Sequence, residues 1–295
     1  MNDSLRLRLE ALNRGPLPAP KVTASVAKPR APLKASSKAS SKASPKAKRR
    51  SATQRATRPG QVPPLPGLVR RGEAVSNECG EHLLIQIPLE TLWPGGEQLV
   101  RRRAAHLSDG GTEEAFAAGF PSNQLLLDLE TCGLSGCPLF LVGLLREVEG
   151  QLAVELLLAR DYSEEAAVLK SLWQRITPET VLATYNGKSF DWPMVQDRTI
   201  RHRLFIGEQP PRPVHVDFLH LARRRWRGQF ADCKLQTLER NVCGRLRTDD
   251  IPGSQIPAAY EQYVRTGFER EMDSILLHNA IDLVTLLDLG MRLVA

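Results

Sequence analysis

Two carboxylates close an apolar run, Leu125, Leu126, Leu127, Asp128, Leu129, Glu130. The run is short, continuously apolar and followed by Gly133, which is the pattern of a buried strand. Residues two apart on a strand share a face, so Asp128 and Glu130 project together. Two like charges at the edge of a core repel each other and lose hydration. A divalent cation between them removes both costs. The pair therefore predicts a metal site whose other ligands come from elsewhere in the chain.

Two later stretches could supply them. An apolar run, Val181 to Tyr185, ends in N-G-K-S-F-D. Asn186 and Gly187 supply a tight turn, Phe190 anchors it, and Asp191 opens the next helix, where the helix dipole keeps a carboxylate ionised. An ordinary helix cap is the other reading of Asp191. Near the C-terminus, H-N-A-I-D places His278 and Asp282 four apart, hence one turn apart on one helical face. Leu276, Ala280, Leu283 and Leu287 form the side that packs on the core. An inward Asp in such a helix needs a partner, which a metal or a local hydrogen bond to His278 would provide. His278 is also placed to act as general base on a water.

The elements that carry these residues read as follows. Strands are predicted at 125–129, 139–145, 152–158, 181–185 and 214–218. The turn at Gly150 makes the second and third antiparallel neighbours. Ser163 is the expected cap of a helix whose apolar stripe is Val168, Leu169, Leu172, Trp173 and Ile176. Pro193 fits the first turn of the helix after Asp191. A short helix over 235–242 stops at Gly244, and a long one runs from about Arg270 to Leu293. Three antiparallel strands followed by alternating helices and strands predict a mixed α/β sheet flanked by helices.

Charge divides the chain. Residues 1–72 hold 17 Lys/Arg and 2 Asp/Glu, a balance of +15 within a whole-chain charge of +7. The remainder, 73–295, carries 23 Lys/Arg and 31 Asp/Glu, a balance of −8. Three segments are expected: a basic tail over 1–72, a lead-in over 73–120 that mixes strand-like pieces (Leu83 to Ile87) with loops and packs on the core, and the regular domain over 121–295. Within the tail, residues 4–14 could form one short amphipathic helix that docks on a protein partner. Residues 16–66 are too poor in large apolar groups to offset their ordering entropy and are expected to be disordered. A basic arm suits a polyanion, most often nucleic acid, although a solubilising linker has the same composition. Its Arg, Ser and Ala content also resembles an organelle transit peptide, while its later Lys and Pro do not. The five cysteines match no zinc spacing and are odd in number, which points to a reducing compartment, the cytoplasm. No apolar stretch is read as approaching the ~20 residues of a membrane span.

The stretches DLETCGL, FLVGLL, TYNGKSFDWPMV, HVDFLHLARRRW, LQTLERNVCG, DDIPGSQIP and HNAIDLVTL run in order between residues 127 and 287. Together they resemble the YprB-type ribonuclease-H-like family, and through it the DEDD superfamily of 3′-to-5′ exonucleases. The resemblance implies a ribonuclease-H-like fold. It implies Asp128, Glu130, Asp191 and Asp282 as ligands of two Mg²⁺ or Mn²⁺ ions, with His278 as the base. Asn186 and Lys188 would then orient or contact substrate phosphate. One departure is clear: His-bearing DEDD enzymes usually place that residue five before the final Asp, and this chain places it four before. Two hard cations would stabilise the attacking and leaving oxygens of a phosphodiester under hydrolysis. A nucleic-acid-binding protein with weak or lost activity, and an endonuclease on the same fold, are the alternatives. Asp217 could support the site or cap the next segment. Arg223, Arg224, Arg225 and Arg227 around Trp226 could hold a single strand or form a solvated face over a buried Trp.

Overall fold

The computed structural model describes residue 62 and residues 64–105, 112–133, 136–248 and 250–294. The expectations for a helix over 4–14 and a disordered basic tail fall outside these residues, apart from the last part of the 1–72 segment.

Seven strands form one sheet: β1 (Glu73–Asn77), β2 (Gly80–Pro88), β3 (Gln124–Thr131), β4 (Leu139–Val148), β5 (Gln151–Leu158), β6 (Val181–Thr184) and β7 (Val214–Asp217). Their order is β1-β2-β5-β4-β3-β6-β7. β3, β4 and β5 are antiparallel, and β6 and β7 add in parallel beside β3. This is the expected mixed sheet, with one addition. Residues 73–88 of the lead-in segment are strands that continue the sheet beyond β5. The β4–β5 hairpin closes through Glu149 and Gly150, both at positive φ (50° and 82°), the backbone that matches strand twist in a two-residue turn.

The helices are α1 (Leu68–Arg71), α2 (Leu89–Leu92), α3 (Gly96–Ala104), α4 (Thr112–Gly119), α5 (Glu165–Trp173), α6 (Asp191–Arg201), α7 (Phe218–Trp226), α8 (Leu235–Leu238), α9 (Ile256–Thr266) and α10 (Arg270–Val294). Two local expectations need correction. Ser163 does not cap α5; Asp161 accepts from the Ser163 N–H and opens a single tight turn that leads into the helix. The 235–242 helix is α-helical only to Leu238. It widens to a π turn over Glu239–Cys243, which turns the buried Glu239 toward Arg247, and it stops at Gly244 with φ 66°.

Helix α10 also corrects the reading that no stretch is long enough for a membrane. Its 25 residues have the length and composition of a span, but 83% of the most apolar window is buried inside the protein. It is a core helix, packed on β3, β4 and β5. Its closest approach to the sheet is at Gly143, opposite Asp128 in the β3–β4 register. A Cβ at that position would lie 1.7 Å from Asn279 Oδ1 and 3.0 Å from Leu283 Cδ1. Only glycine lets the helix seat there.

The other face of the sheet carries a buried charge cluster. Glu155 of β5 is 1% exposed. It accepts from Arg146, Arg175 and Gln86 at 2.6–3.1 Å. Burial alone would raise its pKa, but the two guanidinium groups outweigh burial and hold it at about 2. Arg175 lies just beyond α5, so this cluster fastens α5 to the sheet.

Gly143→Ala is expected to cost about 3 kcal/mol or more, because helix and sheet must separate; urea unfolding measures it. A carboxylate with a lowered folded-state pKa contributes stability above its unfolded value and loses it as pH falls through the folded one. Glu155→Gln should therefore lower Tm at neutral pH, and the gap to wild type should close as pH falls from about 4.5 toward about 2. Thermal melts across that range check it.

Candidate active site

The parallel strands β3 and β6 run side by side toward the same edge of the sheet, β3 continuing past the end of β6, and such edges are where α/β sheets form crevices. β3 brings Asp128 and Glu130 there on one face, both half-buried. Beyond β6 the chain turns through Asn186 at φ 69° and Gly187, whose absent Cβ would stand 2.5 Å from Thr184. The turn is held from outside. Asp217, at the end of β7, accepts from the backbone N–H of Asn186 (2.8 Å) and Lys188 (3.0 Å), and also caps α7 through the Leu219 N–H (3.0 Å). It thus braces the turn before Asp191 as well as capping the next helix. Asp191 then opens α6, and the backbone N–H of Leu129 bonds its carboxylate.

Helix α10 supplies the other wall. Asn279 donates to Asp128 Oδ2 at 2.8 Å, and its Oδ1 is buried without a partner among the described residues. One turn on, Asp282 accepts from Arg247 and lies 3.3 Å from His278 Nε2. His278 Nδ1 meets Asp250 Oδ1 at 2.7 Å. Arg247 is clamped in turn by Glu239, at 2.8 and 2.6 Å.

The electrostatics follow. Burial, then the charges of Asp282, Asp191 and Glu130, push Asp128 well above the usual carboxylate range. Glu130 is raised to about 8, chiefly by burial, with Asp282 adding to it and His278 and Asn279 opposing. Asp191 is raised to about 6 by burial, against its backbone hydrogen bonds. Asp282 differs: burial would raise it, but Arg247 and His278 hold it below its ordinary value. For His278, burial opposes the charge, yet hydrogen bonds to Asp250 and Asp282 raise it to about 11.

The four sequence-predicted acids are therefore neighbours that feel one another's charge, and His278 stands with them. Among the described residues, however, no three His, Cys, Asp or Glu side chains converge as a ready set for one ion. Asn279 engages Asp128, while Arg247 and His278 engage Asp282. The donor set still fits a hard divalent cation: three crowded carboxylates short of positive charge, and an amide oxygen with no donor. Asn186 and Lys188 use their backbone N–H groups on Asp217, and the Lys188 side chain is exposed. Phe190 does not anchor the turn. Its ring is 63% exposed beside Asp191, because Asp217 does the anchoring through the backbone.

Arg247, Asp250, Asn279 and Glu239 were not foreseen as part of this cluster. Asp250 lies within the D-D-I-P-G stretch and Arg247 just before it, a stretch that the family resemblance singles out but periodicity does not explain.

Residues 125–294 match the family described as the RNase H superfamily. The chain belongs to that superfamily. It is of the YprB type: it is 34% identical over 179 residues to the uncharacterized protein YprB of Bacillus subtilis. That alignment covers 59% of this chain and 42% of the relative, so the chain matches less than half of the relative's length.

A base with a raised folded-state pKa contributes stability below its unfolded value, about 6.5, and loses it as pH rises through the folded one. In metal-free protein the His278 ring should remain doubly protonated at pH 8, and Asp250→Asn should bring its titration down toward neutral pH. Ring chemical shifts measured by NMR across pH 6–11 check both.

Proposed function

We propose that this protein is a metal-dependent nuclease that hydrolyses phosphodiester bonds, acting as a 3′-to-5′ exonuclease with two Mg²⁺ or Mn²⁺ ions. The observation that carries this reading is the crowding of Asp191, Glu130 and Asp282 around Asp128, which leaves three carboxylates with raised proton affinity. A superfamily whose domains act on nucleic acid supports the same reading. Asp128, Glu130, Asp191 and Asp282 would hold the ions. When bound, the ions would supply Lewis-acid stabilisation of the attacking and leaving oxygens.

The chain's own groups do the rest. Asp217 and the Leu129 N–H fix Asp191 relative to β3. Asn279 orients Asp128. Arg247 fixes one oxygen of Asp282, which leaves the other toward His278. Asp250 on Nδ1 turns His278 so that Nε2 faces the carboxylates. His278 acts as the base only once its imidazolium proton has been lost, and positive charge placed among these carboxylates favours that loss. Asn186 and the exposed Lys188 meet substrate phosphate. The basic tail tethers the enzyme to nucleic acid, DNA or RNA, in the cytoplasm.

A second reading is a nucleic-acid-binding protein with weak or lost turnover. The pairing of Arg247 with Asp282 favours it, since a guanidinium already answers that carboxylate's charge.

The test is incubation of 5′-labelled single-stranded DNA and RNA with free 3′ ends, the full chain and Mg²⁺ or Mn²⁺. Shortening from the 3′ end is expected, abolished by chelation and reduced at least 10²-fold in Asp191→Ala. Cutting of circular substrates would instead identify an endonuclease. Activity unchanged in Asp191→Ala would overturn the site.

A further inference from the structure

Helix α7 departs from the charge of the body around it. The body is net acidic, yet between Asp217 and Asp232 there are four arginines, one histidine and no acid. The helix separates cleanly into two sides. Phe218, Leu219, Ala222 and Trp226 are buried, and Trp226 packs with Leu238 and Leu289. His220, Arg223, Arg224 and Arg227 recur at helical spacing on the opposite side and are exposed, with Arg225 exposed beside them. The burial of Trp226 removes it as a stacking platform. It also shows that the arginines are not needed for packing.

The half-buried arginines of this fold draw counter-charge. Arg101, Arg146, Arg160, Arg175, Arg198 and Arg247 all pair with carboxylates. Arg223, Arg225 and Arg227 make no ion pair with any described residue. Arg223 lies in the last turn of α7 and Arg227 is its C-cap, where the helix dipole favours positive charge. The stripe is also tied to the candidate site. The cap of α7 is Asp217, whose carboxylate holds the turn that leads to Asp191. Lys188 is exposed on the turn itself, which Asp217 ties to the start of α7.

We propose that the exposed face of α7, with Arg223 and Arg227 at its C-terminal end and Lys188 at its site-proximal end, is the track for the phosphate backbone of a single nucleic-acid strand whose end lies at the carboxylates. The proposal rests on the nuclease reading for the role of that strand. Guanidinium groups without carboxylate partners are free to fork onto phosphate oxygens. A helix of nine residues spans ~13 Å, room for two or three nucleotides. The track therefore serves substrates longer than the few nucleotides the carboxylates themselves engage.

The experiment uses the full chain in chelator, so that nothing is cut, with fluorescein-labelled oligo-dT and oligo-U of 20 nucleotides. Arg223→Ser/Arg227→Ser is compared with Arg102→Ser/Arg265→Ser, a charge-matched pair of exposed arginines elsewhere. The α7 pair should lose roughly tenfold in affinity, and its salt slope should fall by roughly 1.4, two phosphate contacts' worth. Arg223→Lys/Arg227→Lys should recover most of the affinity, which a folding defect would not allow. Equal affinity and slope in the two Ser pairs would overturn the track, and so would a wild-type chain that binds no oligonucleotide. With metal restored, cutting that is indifferent to the α7 pair would sink the track and leave the nuclease reading intact. Binding that depends on α7 without any cutting would sink the nuclease reading and leave the track.

Discussion

The site depends on how closely α10 approaches the sheet. That distance is set at Gly143, where any side chain would occupy the space of the Asn279 amide. Because Gly143 stands opposite Asp128 in the register, the same contact lets Asn279 reach Asp128 and brings Asp282 into the field of the β3 carboxylates. A helix displaced by one methyl group would separate the two halves of the charge cluster. The heavily buried apolar side of α10 supplies the force that keeps it seated.

Once seated, the cluster opposes its own burial. Asp128, Glu130 and Asp191 all bind protons more tightly than ordinary carboxylates, while Asp282 is kept charged by Arg247 and His278. The cationic answer comes from a separate stretch, Arg247 to Asp250, which grips α10 at two side chains one turn apart. Glu239 holds Arg247 in place, and Thr285 of α10 donates to Glu239. The π turn over Glu239–Cys243 positions that carboxylate. Groups whose proton affinities are pushed in opposite directions within one cluster mark it as a candidate functional site. The Glu155 cluster on the other face is the contrast: there two guanidinium groups satisfy one carboxylate, and its pKa falls.

The third support is Asp217. By accepting from two backbone N–H groups of the turn before Asp191 and one of α7, a single carboxylate locks the end of β6 to the end of β7. This explains how Phe190 can be exposed next to a half-buried acid. Positioning Asp191 is done by backbone hydrogen bonds, which frees the aromatic ring to face solvent.

The sequence by itself determined the mixed sheet, its central strands and the four acidic positions, because strand periodicity, Gly and Asn turns and the apolar stripe of the last helix are local signals. It also carried Asp128 and Glu130 to one face, since alternation along a strand requires nothing from the rest of the chain. The partners of those residues were decided by tertiary structure. That Arg247 answers Asp282, that Asp250 takes His278, and that Asn279 bridges to Asp128 depend on contacts 28 to 151 residues apart. No periodicity encodes contacts at that separation. The exposure of Phe190 and the place of the two strands ahead of β3 at the sheet's edge were hidden for the same reason. A turn's anchor and a sheet's edge are set by what packs against them, and that is fixed only when the chain closes on itself.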